Sequence, residues 1–112
     1  MARVLVCESD PDVRRLLALL VERLGHEAVF DDGSVAPSPA DLMLLEPASA
    51  RAVEHARAVR DAQPGLPIIC VSVLPEDGEL LSLGPLEYLV KPFALKELRA
   101  AVDRALGLLQ AA

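Results

Sequence analysis

Asp41-Leu-Met-Leu-Leu-Glu46 is the stretch that decides how this chain folds. Four consecutive apolar residues between two carboxylates are typical of a strand that is buried on both faces in the middle of a parallel sheet. Glu46 then follows the carboxyl end of that strand. Because ligands of open α/β sheets bind outside the carboxyl ends of the strands, Glu46 marks the edge where we expect the functional site.

Other short apolar segments lie on both sides of this stretch, and helix-forming segments alternate with them. The other predicted strands cover residues 3–7, 27–30, 67–73 and 87–90. The predicted helices run from Pro11 to a stop at Gly25, from beyond Pro47 to Pro64, over 75–83, and onward from Phe93. This alternation predicts an α/β domain with a five-stranded parallel sheet that helices cover on both faces.

The first and last helices each have one apolar face. Ser9 or Asp10 can cap the first helix, and Pro11 suits its first position. Apolar residues at spacings of three and four predict the side chains that pack on the sheet. These are Val13, Leu16, Leu17, Leu20, Val21 and Leu24 in the first helix, and Leu95, Leu98, Val102, Leu106 and Leu109 in the last.

The link between the second and third strands is short. Residues 31–40 number ten and include Gly33, Pro37 and Pro39. A parallel crossover usually takes a dozen or more residues and a helix. We therefore predict a loop here, or at most a single turn near 34–36, so that the second helix of the doubly wound pattern is shortened or absent.

Composition and charge limit the class of protein. The 112 residues suit a single domain over 1–112, and 53% apolar with 25% charged residues is typical of a globular core. A net charge of −6 argues against direct binding to nucleic acid or to an anionic membrane. We find neither a membrane-length apolar run nor a signal peptide pattern, so we expect a cytoplasmic protein. Cys7 and Cys70 lie in predicted strands and are expected to be free, buried thiols.

Polar residues collect at the predicted carboxyl ends of the strands. They are Glu8, Ser9, Glu46, Ser72 and Lys91. Hard cations bind oxygen ligands, a carboxylate can accept a phosphoryl group, and a lysine can neutralise the product. The edge is therefore suited to a cation or a phosphoryl group.

With these residues the chain resembles, over essentially its whole length, the receiver domain of bacterial two-component response regulators. The matching stretches are Val4-Leu-Val-Cys-Glu-Ser-Asp10, Asp41-Leu-Met-Leu-Leu-Glu46, Pro67-Ile-Ile-Cys-Val-Ser72 and Tyr88-Leu-Val-Lys-Pro-Phe93. Of these, the last is the specific one. The resemblance implies a doubly wound, flavodoxin-like sheet with strand order 2-1-3-4-5.

The resemblance also implies roles for residues at the sheet edge. Glu8 and Ser9 take the positions of the acidic pair that helps to hold Mg²⁺, and Glu46 takes that of the phosphoacceptor. Ser72 and Tyr88 take the positions of the coupled switch residues. Lys91 takes that of the phosphate-contacting lysine, and its bond to Pro92 would be cis.

The chain departs from the family pattern at the same edge. The family's phosphoacceptor is Asp, whereas Glu46 stands at that position here. Ser9 replaces the second acid of the metal pair. The Met-Pro and Gly expected after the acceptor are also absent, with residues 48–51 in their place. We therefore predict a degenerate receiver, or pseudo-receiver, that works without phosphorylation and in which Glu46 reaches Lys91 directly, with Ser72 as a further candidate partner. No resident metal is expected; the alternative is a working receiver that a histidine kinase phosphorylates, with Mg²⁺ held by Glu8 and Glu46.

Simpler interpretations of these residues remain open. Glu46 and Lys91 could form an ion pair with no signalling role, and Glu8 could be a solvated carboxylate. Ser72 could be only a small hydrogen-bonded residue, and Tyr88 could only pack beside the last helix. His26 and His55 are expected at the surface. A flavodoxin-like nucleotide binder is disfavoured, because Glu8-Ser-Asp-Pro11 lacks glycine and carries negative charge that repels phosphate.

The resemblance implies a non-enzymatic signalling module. Such a domain would regulate by docking to a protein partner or to a second copy of itself. The face expected to dock is formed by the helix over 75–83, the strand over 87–90 and the last helix. We expect no direct contact with nucleic acid or membrane.

Overall fold

A computed structural model describes residues 2–31, 39–47, 50–72, 84 and 87–107 of the chain. Five strands and three helices lie in these ranges. In chain order they are β1 (Arg3–Cys7), α1 (Pro11–Arg23), β2 (Glu27–Phe30), β3 (Leu42–Leu45), α2 (Ala50–Ala62), β4 (Ile68–Ser72), β5 (Glu87–Val90) and α3 (Leu95–Ala105).

The five strands form one parallel sheet in the order β2-β1-β3-β4-β5. The doubly wound, flavodoxin-like fold and its strand order are thereby confirmed. β3 is the central strand, and all four of its residues are buried. β3 reads as an unbroken apolar run because both of its faces are covered.

Helices cover the two faces of the sheet separately. α1 and α3 pack on one face and α2 packs on the other, which gives the three-layer arrangement of this fold class. On the face with α1 and α3 the buried residues are Val4, Val6, Leu17, Val21, Leu42, Leu44, Ile69, Val71, Leu89, Leu98, Ala101 and Val102. On the face with α2 they are Leu5, Cys7, Met43, Leu45, Val53, Ala56, Val59, Leu66, Ile68 and Cys70.

Local signals fix both ends of α1. Asp10 is the N-cap, and its Oδ1 accepts hydrogen bonds from the backbone N–H groups of Asp12 at 2.9 Å and Val13 at 3.2 Å. Asp10, rather than Ser9, is therefore the residue that caps α1. Gly25 follows the helix with φ at +89°, a conformation that glycine adopts without steric cost.

The predicted buried face of α1 is partly wrong. Leu16 is 55% exposed and Leu19 is 53% exposed, whereas Leu17, Ala18 and Val21 are buried. Successive helix residues are about 100° apart, so Leu16 and Ala18 lie on opposite sides of Leu17, and only the Ala18 side is turned towards the sheet. The small Ala18, rather than Leu16, takes the second position in the narrow stripe that the sheet covers.

Some predicted elements differ at their ends or lie outside the described residues. β4 is one residue shorter at its start than predicted, and Val73 is not among the described residues. α3 ends at Ala105, and its cap Leu106 is followed by Gly107 with φ at +74°. The turn near 34–36, the helix over 75–83 and Leu109 also lie outside the described residues.

None of the helices within the described ranges has both the length and the apolar character that a bilayer crossing requires.

Candidate functional site

Backbone hydrogen bonds beyond the strands hold the polar edge together. The N–H of Glu46 donates to the carbonyl of Cys7 at 3.0 Å, which fixes Glu46 beside the end of β1. The N–H of Lys91 donates to the carbonyl of Ser72 at 2.8 Å, which fixes Lys91 beside the end of β4. The Lys91–Pro92 peptide bond is cis, as the resemblance implies.

An ammonium group and two carboxylates meet at this edge. Lys91 Nζ lies 3.0 Å from Glu46 Oε2 and donates a hydrogen bond to it. The same nitrogen lies 3.9 Å from Glu8 Oε1. The side chains of Glu8, Glu46 and Lys91 are only 5%, 10% and 21% exposed. The expected contact between Glu46 and Lys91 is present, and it is largely screened from water.

Glu8 is the least satisfied member of the group. Its Oε2 is buried and has no hydrogen-bond partner among the described residues. Burial raises the pKa of Glu8 above its ordinary value. Lys91 opposes this effect, while the charges of Glu46 and Asp10 add to it. Glu8 is therefore not the solvated carboxylate of the simpler interpretation.

The raised pKa of Glu8 predicts a pH dependence of stability. A carboxyl whose pKa is higher in the folded state contributes stability that is fully present below the unfolded value, 4.5, and is lost as pH rises through the folded value. We therefore expect Glu8→Gln to remove this loss and to be at least as stable as the wild type at pH 7. Urea midpoints measured across the acidic and neutral range test this.

The matched control for that experiment is Glu54→Gln, at an exposed position of α2. It should leave the pH profile of the midpoint unchanged. A profile of Glu8→Gln that is parallel to that of the wild type would show that Glu8 does not carry the effect.

Glu8 and Glu46 are the carboxylates that lie beside Lys91 at this edge. Ser9, which lines the cavity beside Glu8 and Glu46, brings a hydroxyl but no charge. Among the described residues, no group of three His, Cys, Asp or Glu side chains is placed to hold a metal ion. The ammonium of Lys91 already contacts both carboxylates, whereas Mg²⁺ requires several oxygens in near-octahedral geometry.

Ser72 and Tyr88, the expected switch pair, lie on one face of the sheet. Tyr88 is in register with Cys70, and side chains alternate along a strand, so Ser72 and Tyr88 both face α2. Ser72 is 3% exposed, and Tyr88 is half-buried against the α2 side of the core. The interpretation that Tyr88 packs beside the last helix is wrong, since α3 covers the opposite face. Coupling between Ser72 and Tyr88 remains a prediction.

A cavity of about 290 Å³ lies beside Glu46 and extends towards the end of β2. Asp31 and His55 line it, and His55 Nε2 lies 2.8 Å from Asp31 Oδ2. Arg14 of α1 also lines the cavity, and its guanidinium lies 5.3 Å from the ring centroid of Phe30. These side chains extend the polar edge beyond the residues that the sequence identified.

The expectation that both histidines lie at the surface is only partly right, since both are of intermediate burial. His55 has a side chain only 20% exposed, and His26 Nδ1 accepts a hydrogen bond from the backbone N–H of Ala2 at 3.1 Å. The signal for His55 was its helical spacing of three from Ala52 and four from Val59, which places it at the margin of the buried face. No comparable signal identified Asp31 as its partner, because the two are joined only by the fold.

The two cysteines are free and buried, as predicted. Burial raises the pKa of the Cys7 thiol well above its ordinary value, and the neighbouring Asp31 carboxylate raises it further. Both effects disfavour the thiolate, which is the form of cysteine that acts as a nucleophile or a metal ligand.

No protein-family model matches the chain. Over 117 aligned residues it is 31% identical to the DNA-binding transcriptional regulator NtrC of Azospirillum brasilense. That match covers 95% of this chain and 24% of NtrC, so the chain spans about a quarter of the length of this curated relative.

Two solved structures carry the comparison further. The receiver domain of the sensor histidine kinase PA1611 from Pseudomonas aeruginosa PAO1, solved with magnesium in its active-site cleft, matches with a TM-score of 0.80 and 23% identity, over 95% of this chain and 98% of that one. The response regulator TrrA of Thermotoga maritima, solved with Mg²⁺ and BeF, matches with a TM-score of 0.78 and 26% identity, over 94% and 99%. In its fold and its strand order the chain is therefore similar to receiver domains of the two-component type.

Proposed function

We propose that this chain is a receiver domain of the pseudo-receiver kind, which works without phosphorylation, does no catalysis and acts by binding a protein partner. Glu46 stands at the acceptor position, but Lys91 already engages its carboxylate. The observation that carries the proposal is the 3.0 Å contact between Lys91 Nζ and Glu46 Oε2. A charge-assisted hydrogen bond of this length can hold one conformation of the sheet edge with no phosphoryl group present.

Two features of the residues oppose phosphorylation. Glu46 is one methylene longer than Asp, which displaces its carboxylate by about 1.5 Å, and in-line phosphoryl transfer tolerates little misplacement. Ser9 removes one negative charge from the position of the metal pair, and a phosphoryl group needs the metal to neutralise its own charge. Both changes weaken the reaction while leaving the Glu46–Lys91 contact intact.

Incubation with acetyl phosphate and Mg²⁺, followed by intact-mass measurement, tests the proposal. We expect the wild type to stay unmodified. The double variant Glu46→Asp, Ser9→Asp restores both acids and is the matched control, which we expect to gain one phosphoryl group. If the double variant gains no phosphoryl group, the altered residues 47–51 also block the reaction.

The second candidate is a working receiver that accepts a phosphoryl group on Glu46 from a histidine kinase. The observation in its favour is the buried, unpartnered Oε2 of Glu8 beside a cavity that Glu46 also lines. A Mg²⁺-dependent gain of one phosphoryl group by the wild type, absent from Glu46→Gln, would establish this function and overturn the first.

The proposed docking face includes β5 and α3, together with residues 75–83, which lie outside the described part of the chain. Val90 of β5 is 51% exposed, although it is a large apolar residue in a strand. Exposed apolar residues of this kind are suited to the centre of a protein interface. The proposed partner is another protein or a second copy of the chain. Sedimentation velocity of the wild type and of Val90→Glu tests whether two copies of the chain associate through this face.

A further inference from the structure

The outer side of α1 carries a stripe of exposed residues, opposite the face that packs on the sheet. This outer stripe consists of Asp12, Leu16, Leu19 and Arg23, at spacings of four, three and four residues. At about 100° per residue, these spacings keep the stripe within about 60° around the helix. Leu16 is 55% exposed and Leu19 is 53% exposed. Two large apolar side chains therefore lie in solvent one turn apart, between a negative and a positive charge.

The order of residues in the outer stripe makes it complementary to its own reverse. Asp12 and Arg23 each suit their own end of the helix dipole, but that explanation does not apply to the leucines between them. A second copy of α1 can run antiparallel, centred between residues 17 and 18. Leu16 then meets Leu19 of the second copy, and Asp12 meets Arg23 of the second copy. Two-fold symmetry repeats each of these contacts.

The flanks of the stripe fit the same arrangement. Arg15 and Glu22 are exposed on one flank, and the two-fold axis of an antiparallel pair keeps this flank on the same side in both copies. Arg15 then lies beside Glu22 of the second copy, about 3 Å apart along the helix axis. On the other flank Val13 and Leu20 are apolar and half-buried, and Val13 lies beside Leu20 of the second copy. A parallel pair would instead place Asp12 against itself.

The apolar flank continues into a groove between α1 and the segment that precedes α3. The groove has a volume of about 280 Å³, and Val13 and Leu20 line it together with Pro92 and Phe93. Its apolar walls give the leucine side chains of the second copy a surface to pack on. Burial of such surface is the main favourable term in protein association.

We propose that α1 is the pairing helix of a symmetric dimer, in which the outer stripes of two copies pack antiparallel. This inference goes beyond the proposed function, because it does not involve Glu46 and leaves the face of β5 and α3 to another protein. A 13-residue helix is about 20 Å long, so the contact is smaller than the roughly 1,600 Å² of a standard interface. We expect a weak dimer, with a Kd on the order of 100 µM. The chain is then a monomer at the low micromolar concentrations of urea unfolding.

Sedimentation equilibrium of the chain from about 10 µM to about 1 mM tests the inference. The wild type is expected to pass from monomer to dimer over this range. Leu19→Glu should abolish the dimer, because it buries a carboxylate against a leucine with no partner. Val90→Glu is the matched control, since it places the same charge on an apolar residue that is 51% exposed but lies outside the outer stripe. It should associate as the wild type does.

An exchange of charges tests the antiparallel direction. Asp12→Arg brings like charges together at both ends of the pair and should weaken the dimer by about tenfold. Arg23→Asp should weaken it by a similar factor. An equimolar mixture of the two variants restores opposite charges at both ends, so its association should return to that of the wild type. Damage to the helix itself would not be repaired by mixing.

Three results would overturn the inference. The first is a wild type that stays monomeric up to about 1 mM. The second is a dimer that is lost in Val90→Glu but kept in Leu19→Glu, which would place the pairing at β5. The third is a mixture of the charge variants that associates no better than either alone. If circular dichroism shows that Leu19→Glu is unfolded, Leu19→Gln replaces it. The intact-mass measurement of phosphorylation is independent of all these variants, so the proposed function and the dimer can fail separately.

Discussion

Replacement of Lys91 by methionine is expected to lower the free energy of unfolding by about 2–3 kcal/mol at pH 7 without divalent metal. The change removes the cation that contacts Glu46 at 3.0 Å and Glu8 at 3.9 Å, and leaves two mostly buried carboxylates facing each other. Breaking a fully buried pair costs about 3–5 kcal/mol. The lower figure allows for water that reaches Lys91, whose side chain is 21% exposed.

Urea unfolding followed by far-ultraviolet circular dichroism gives this free energy, with Lys96→Met as the control at an exposed position. The control should stay within about 0.5 kcal/mol of the wild type. Adding Glu46→Gln to Lys91→Met should recover part of the loss, because one of the stranded charges is removed. If Lys91→Met is itself within about 0.5 kcal/mol of the wild type, the ion pair contributes nothing to stability.

Leu44→Ala is the second large effect, and it should lower the free energy of unfolding by about 3–4 kcal/mol. Leu44 lies in the central strand β3, is 1% exposed and packs in the core between the sheet and the helices α1 and α3. Truncation there removes apolar burial and leaves a cavity that the flanking strands β1 and β4 cannot readily close. The urea midpoint should fall with little change in the slope of the transition.

Leu16→Ala is the matched control, since it makes the same chemical change at a position that is 55% exposed. It should alter the free energy of unfolding by no more than about 0.5 kcal/mol. Equal losses in the two variants would mean that Leu16 is buried in solution and that α1 lies differently on the sheet.

Much of the fold follows from local sequence signals. The apolar run of β3, the Asp10 cap before Pro11 and the stop at Gly25 each depend on residues adjacent in the chain, so they could be identified without knowledge of the fold. The meeting of Glu46 with Lys91 was also predictable, because carboxyl ends of parallel strands lie at one edge of a sheet.

The remaining features depend on how the layers pack. Leu16 and Leu17 fit the same apolar pattern, and only the angle of α1 on the sheet decides that Leu17 is buried. The pairing of Asp31 with His55 joins the end of β2 to the middle of α2, which no spacing along the chain encodes. The side of the sheet that Tyr88 faces likewise depends on the register of β5 against β4.

Tyr88 also gives the molecule a built-in optical reporter. It is the sole tyrosine of a chain that has no tryptophan, and its ring lies on the α2 side of the sheet. Intrinsic fluorescence therefore comes from one layer of the protein. A rearrangement that loosens α2 should change the tyrosine emission, whereas one confined to α1 and α3 should leave the emission nearly unchanged. Fluorescence measurements can therefore distinguish motions of the two helix layers.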